Sequence, residues 1–200
     1  MALQSPTIKK SEVLAMAGIT EELTQAVIIG IRGYEDPGAN QVGIYDDCIC
    51  IVSPDQFLAV NGNTDPSKLQ PGVAILQPGT YQYRKGIHGM HHLDMTNPKD
   101  KALLDNAVKY GTDISAFTYW AFRQAGDVTV QREGGKLQTD NPSARFWIDI
   151  HRGGSQGTSS LGCQTVIPYE WNDFKKLGYS EMTKYSQATI NYILINKPTV

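Results

Sequence analysis

Cysteine is scarce in this chain. There are three among 200 residues, an odd number that excludes a fully paired intrachain disulfide framework and leaves at least one thiol free or intermolecular. Neither sign of charge is in excess. Lysine and arginine number 18 against 20 aspartates and glutamates, a formal net charge of −2, whereas a dedicated nucleic-acid binder shows a basic excess or stripe. Charged residues make up only 19%, below the roughly 25% of an average soluble protein. Low net charge with 40% hydrophobic residues also argues against long disordered tails. Long apolar runs are missing too. The longest near the start is Ala26-Val27-Ile28-Ile29, far short of the ~20 residues a membrane span needs. Lys9 and Lys10 are not followed by the apolar core of about 7–15 residues that an export signal carries. The expectation is a chain with no membrane span and no nucleic-acid partner, cytoplasmic at synthesis, folding as a single domain over residues 1–200.

What is present reads as mainly β with a few short helices. Ser11 before Glu12-Val13-Leu14-Ala15-Met16-Ala17, with Gly18 after, predicts a capped helix. Residues 26–31 are β-branched and strand-like, and Ser53-Pro54-Asp55 separates strands over 44–52 and 57–60. Residues 61–72 read as a long loop and 79–84 as a strand. Ala102, Leu103, Ala107 and Tyr110 recur near the helical period over 99–110. Strands are expected at 117–122, 127–131 and 146–151, a helix at 169–177 after Pro168, and a closing strand at 188–195. No internal repeat, low-complexity tract or linker interrupts this order.

The chemistry concentrates in the last third. Alternation along Phe146-Trp147-Ile148-Asp149-Ile150-His151 puts Phe146, Ile148 and Ile150 on one face and Trp147, Asp149 and His151 on the other. A glycine-rich loop follows, Arg152-Gly153-Gly154-Ser155-Gln156-Gly157, and then Ser159-Ser160-Leu161-Gly162-Cys163-Gln164-Thr165. A cysteine after glycine in a tight turn presents its sulfur and its backbone N–H to one point. With a histidine nearby, that meets the needs of acyl transfer: nucleophile, base and oxyanion donor. Such a cysteine is expected to be a low-pKa, readily alkylated thiol. Cys48 and Cys50 share a strand face and read as structural.

These residues resemble the signature of the L,D-transpeptidase catalytic domain, over about residues 148–166. The resemblance implies a β-sandwich or barrel acting on bacterial peptidoglycan, with no cofactor. It implies Cys163 as the nucleophile that forms a thioester, and His151 as the imidazole that activates it. A carbonyl just after the histidine, of Arg152 or Gly153, would orient the ring. Ser160 and Gly162 match the turn, with Gly162 and Cys163 amides as oxyanion donors. Asp149 is an alternative partner for His151. Arg152 and Lys85 suit substrate carboxylates, and Tyr83 and His88 would line the rim with Lys85.

The departures shape the functional expectation. Leu161 stands where the family carries histidine, Thr165 where arginine is usual, and the loop between His151 and Cys163 is short. Loss of acceptor-holding residues points to a phage endolysin-like variant. It would hydrolyse stem peptides or cross-links near diaminopimelate and reach the wall through a holin. The alternatives are true transpeptidation and a catalytically inactive wall-binding module. A zinc peptidase is the chemical rival, because His88, His91, His92 and Asp94 fall within seven residues, though no HExxH is present. Solvated loop histidines are the expectation there, and no metal is assigned.

Overall fold

The two most apolar stretches, VIIGIR and DCICIV, lie side by side. β1 (Val27–Arg32) pairs antiparallel with β2 (Asp47–Val52), and nearly every residue of both is buried. They are covered on both faces, which explains why neither shows polar alternation. One face, with Ile28, Ile49 and Ile51, enters the main core. The other, with Val27, Ile29, Ile31, Cys48 and Cys50, packs under α1 (Lys10–Met16), which contributes Val13. The computed structural model describes residues 3–36, 38, 40–142 and 147–198.

The remaining strands close the sheet on itself. β3 (Phe57–Asn63) follows β2 across the Ser53–Gln56 turn, where the Ser53 N–H donates to the Gln56 carbonyl at 3.0 Å. Next come β4 (Ile75–Leu76), β5 (Gly79–His88), β6 (Tyr119–Gln124), β7 (Val128–Gln131) and β8 (Leu137–Asp140). β9 (Ile150–Arg152), β10 (Gln164–Val166) and β11 (Ile190–Asn196) complete the set. Eight strands form a closed barrel in the order β1-β11-β5-β6-β9-β10-β3-β2, and β4-β7-β8 form a separate sheet. Closure leaves the barrel without an exposed edge. The β9–β10 and β1–β11 pairs are parallel.

α2 (Pro98–Tyr110) lies between β5 and β6 in sequence, and α3 (Pro168–Lys184) packs on the barrel core. Along α3, Trp171, Phe174, Gly178 and Met182 recur every three or four residues and are buried. Phe122 of β6 meets the rings of Trp171, Phe174 and Tyr179 edge-on, with centroids 6.5, 5.8 and 5.1 Å away. Gly178 permits this approach, since a Cβ there would stand 2.6 Å from Phe122 Cζ. Two buried carboxylates lock the helix in place: Glu181 accepts from the Ser53 hydroxyl at 2.6 Å, and Glu170 from the Asn61 amide at 2.7 Å.

The mainly-β reading holds, and several boundaries move. Ser11 lies inside α1, and the N-cap is Lys9, whose N–H donates to the Glu12 carboxylate at 2.7 Å. The helix after Pro168 continues past Gly178 to Lys184, because that glycine faces the core rather than ending the helix. Residues 61–63, read as loop, belong to β3. α2 forms as expected, but Leu103 and Tyr110 are exposed and only Ala107 is buried. The strand expected over 146–151 is laddered only at its end, and Phe146 lies outside the described residues. Upstream of β9 the backbone bonds to side chains instead: the Ile148 N–H donates to Gln124 Oε1 at 3.0 Å. The alternation survives without the ladder, with Ile148 and Ile150 in the core. β4, β8 and β10 were not legible, being two to four residues long.

Because Phe174 fills the α3–barrel contact, Phe174→Ala is expected to cost about 3–5 kcal/mol through the cavity it leaves. Urea unfolding monitored by circular dichroism checks this, and a loss under about 1 kcal/mol would mean that α3 is not part of the cooperative core.

Candidate functional site

The parallel β9–β10 pairing assembles the site. Thr165 stands opposite His151, and the Gln164 N–H donates to the Asp149 carbonyl at 2.8 Å. Cys163 therefore sits level with Asp149 on the neighbouring chain segment, about 4.8 Å across. Side chains alternate, so Cys163, Asp149 and His151 share the face opposite the core residues Ile148, Ile150 and Val166. All three line an open cleft of about 850 Å³ that also takes in His88, Arg123 and Trp147. Leu104 and Val108, one turn apart on α2, wall it as well.

Cys163 is half-buried. Its sulfur lies 3.4 Å from the Asp149 N–H, which donates to it, and 3.4 Å from the Trp147 carbonyl. Burial, with the Asp149 carboxylate adding to it, pushes the thiol up to about 12. The expected low-pKa thiolate is thus absent from the resting site, because no cation close enough outweighs desolvation.

His151 is buried, and its Nδ1–H donates to the Arg152 carbonyl at 2.7 Å, with the Tyr119 hydroxyl 3.1 Å away. Of the two carbonyls expected to orient it, Arg152 does so. The Gly153 N–H donates to the Val166 carbonyl, and its Cα packs on Tyr45. An Nδ1 proton held this way leaves Nε2 as the basic nitrogen. Burial lowers His151 to about 4, with His88 next in effect. Histidine and cysteine rest as a neutral pair.

Asp149 does not orient His151. Its Oδ2 accepts from Arg123 Nη1 at 2.5 Å and from His88 Nδ1 at 2.9 Å, and its Oδ1 takes the Gln124 N–H at 3.3 Å. The His88 ring stacks on His151 with centroids 4.2 Å apart and planes 21° from parallel. Arg123, whose guanidinium also lies 4.2 Å from the Trp147 ring centroid, was not singled out from sequence. The available signal was an arginine within the otherwise apolar and aromatic run YWAFRQ.

Other sequence candidates occupy different roles. Ser160 braces the turn: its hydroxyl donates to the Cys163 carbonyl at 2.7 Å and accepts the Gly162 N–H at 2.9 Å. That bond removes Gly162 as an oxyanion donor, leaving the Cys163 amide, which has no acceptor among the described residues. Gly162 is required by its backbone, with φ at 154° and the Ala74 carbonyl 2.6 Å from where a Cβ would stand. Tyr83 is wholly buried against Tyr192 in the barrel and does not reach the rim. Lys85 borders the cleft as expected, and its ammonium donates to the Thr183 hydroxyl at 2.7 Å and lies over the Tyr179 ring. Arg152 stacks on Tyr119 and donates to the Ala116 carbonyl at 2.9 Å.

The histidine cluster divides. His88 joins Asp149, the His91 and His92 rings meet at a tilt of 41° with centroids 4.0 Å apart, and the Asp94 carboxylate accepts from Thr96. Among the described residues no group of three or more His, Cys, Asp or Glu side chains is disposed to hold a metal ion. No described helix is long and apolar enough to cross a membrane. Compared with known proteins, the chain matches no family model, no curated protein and no solved structure.

Two measurements test these electrostatics. Alkylation of Cys163 by iodoacetamide, followed by peptide mass spectrometry, is expected to be slow near about pH 8 and to rise about tenfold per pH unit. Rapid labelling below about pH 7 would contradict a buried neutral thiol. For His151, the unfolded chain binds a proton between about 6.5 and about 4 that the folded chain refuses. Its contribution to stability is complete above that window and falls as pH drops through it, by on the order of 3 kcal/mol at the limit. Wild type is expected to lose more stability than His151→Gln between about pH 7 and about pH 4, and equal losses would remove the argument.

Proposed function

We propose that this chain is a cysteine peptidase with an L,D-transpeptidase-like fold, hydrolysing peptide bonds in the stem peptides or cross-links of peptidoglycan through a thioester. One observation carries the reading. Cys163 and a histidine whose Nδ1 proton is committed to the Arg152 carbonyl line the same open cleft. The chemistry starts from the neutral pair. His151 Nε2 takes the thiol proton as sulfur attacks the substrate carbonyl, so charge develops only in the transition state. The Cys163 amide receives the developing oxyanion. The imidazolium then gives its proton to the leaving amine, and water later resolves the thioester.

Substrate charge supports the same reading. The chain has no overall basic excess, yet Arg84, Lys85 and Arg123 border the cleft, with Asp149 the one carboxylate among the lining residues described. A local cationic rim suits the free carboxylates of diaminopimelate-containing peptides. Leu161 is exposed at 53% beside the turn, where a histidine would otherwise supply a polar contact for an acceptor amine. This favours water over an amine as the resolving nucleophile, as an endolysin requires. On this reading the chain is held in the cytoplasm and meets the wall only after a holin opens the membrane.

Purified diaminopimelate-type sacculi test the proposal. Wild type is expected to release soluble peptides and smaller, uncross-linked muropeptides, while Cys163→Ala reduces release by at least about 1,000-fold, the usual order for losing a covalent nucleophile. New muropeptide dimers would replace hydrolysis by transfer. Full release by Cys163→Ala would end the proposal.

A further inference from the structure

The cleft holds two histidines where a cysteine peptidase needs one. They differ in ways that assign them different tasks. His151 is 4% exposed and is held by a neutral carbonyl, whereas the His88 side chain is 25% exposed and is held by a carboxylate. A proton arriving on an imidazole is stabilised by a carboxylate on its other nitrogen. A ring held by a neutral carbonyl gains less from its partner and is suited to a brief transfer from a neighbouring thiol. Asp149 takes the Nδ1 edge of His88 from the buried side, so Nε2 lies on the edge away from it. The two rings stack with centroids 4.2 Å apart.

Resting on the peptidase reading above, we propose that His88, oriented by Asp149, is the base that activates the hydrolytic water, and that His151 serves the Cys163 thiol. In the second half-reaction His88 Nε2 accepts a proton from water as its oxygen bonds to the thioester carbonyl. The tetrahedral intermediate collapses, the C–S bond breaks, and the sulfur leaves as thiolate. The proton on His88 returns to that thiolate, regenerating thiol and neutral imidazole and releasing a carboxylic acid. Arg123, on the same Asp149 oxygen as His88, keeps the carboxylate in place between turnovers. Asp149 is thus a positioning residue and His88 a catalytic one.

The assignment explains a feature of the motif. The position before Gly162 is Leu161, so the turn itself carries no second imidazole. His88 arrives instead at the end of β5, directly opposite Tyr119 of β6, whose hydroxyl touches His151.

The test separates acylation from deacylation with p-nitrophenyl acetate, an acyl donor that asks nothing of peptidoglycan recognition. His88→Phe keeps a ring to stack on His151 but has no base, and His88→Gln is a second, polar variant. Both are expected to retain the initial burst of nitrophenolate and to accumulate acetyl on Cys163 by intact-mass spectrometry. Steady-state turnover should fall by about 100-fold or more, the usual share of a general base. Exogenous imidazole should restore part of the turnover of His88→Gln, which a purely structural role would not allow. Turnover within a few-fold of wild type in both variants, or loss of the burst in both, would overturn the assignment. If the expected pattern appears but sacculi are not cut, the peptidoglycan reading fails and the relay stands. If wild type never acylates Cys163, both fall.

Discussion

A carboxylate taken out of water must find a cation and several hydrogen bonds or it destabilises the fold. Asp149, 1% exposed, meets that demand with partners from two other strands: Arg123 and the Gln124 amide from β6, and His88 from β5. Its own backbone adds two more ties, an N–H to the Cys163 sulfur and a carbonyl to the Gln164 amide. One residue therefore pins β5, β6, the segment entering β9 and the start of β10 on a single face of the barrel. Cys163, His88 and Arg123 touch Asp149 directly, and His151 reaches it through the His88 ring. Removing Arg123 would leave the buried carboxylate without its counter-charge, and removing His88 would cost it a hydrogen bond, so the arrangement is cooperative rather than a sum of pairs.

The same enclosure governs reactivity. Desolvation raises the Cys163 thiol and lowers the His151 imidazole, so both rest neutral beside the Asp149–Arg123 ion pair. A neutral thiol and imidazole avoid the cost of a buried thiolate. In the proposed reaction they exchange a proton as the C–S bond forms, which makes ring orientation decisive. The Arg152 carbonyl supplies that orientation directly to His151, and the Ser160 hydroxyl holds the turn that presents Cys163.

Much of the frame was legible because it rests on local rules. Apolar β-branched stretches became β1 and β2, the Ser53-Pro54-Asp55 signal became the β2–β3 turn, and Pro168 opened α3. Period-two alternation placed Ile148 and Ile150 inward and Asp149 and His151 outward, even where the ladder is missing. Failures came where burial depends on a distant neighbour. The helix expected over 169–177 runs on through Gly178, whose missing side chain makes room for Phe122, and α2 turned Leu104 and Val108 to the cleft in place of Leu103 and Tyr110. Tyr83 reads as a rim residue, yet it stands on the β5 face that enters the core, whereas Lys85 does border the cleft while its ammonium turns to α3.

The sequence by itself determined the mainly-β character and singled out Cys163, His151 and the turn that bears the cysteine. These follow from nearest neighbours, from side-chain period and from the spacing within one short segment. Only the tertiary structure decided that Asp149 belongs to His88 and Arg123, 61 and 26 residues away in sequence. It alone decided that Ser160 and Gly162 satisfy each other, and that the cleft is walled by α2. Pairing of strands remote in the chain sets those contacts, and the need to neutralise a buried carboxylate chooses among them, neither of which a linear pattern encodes.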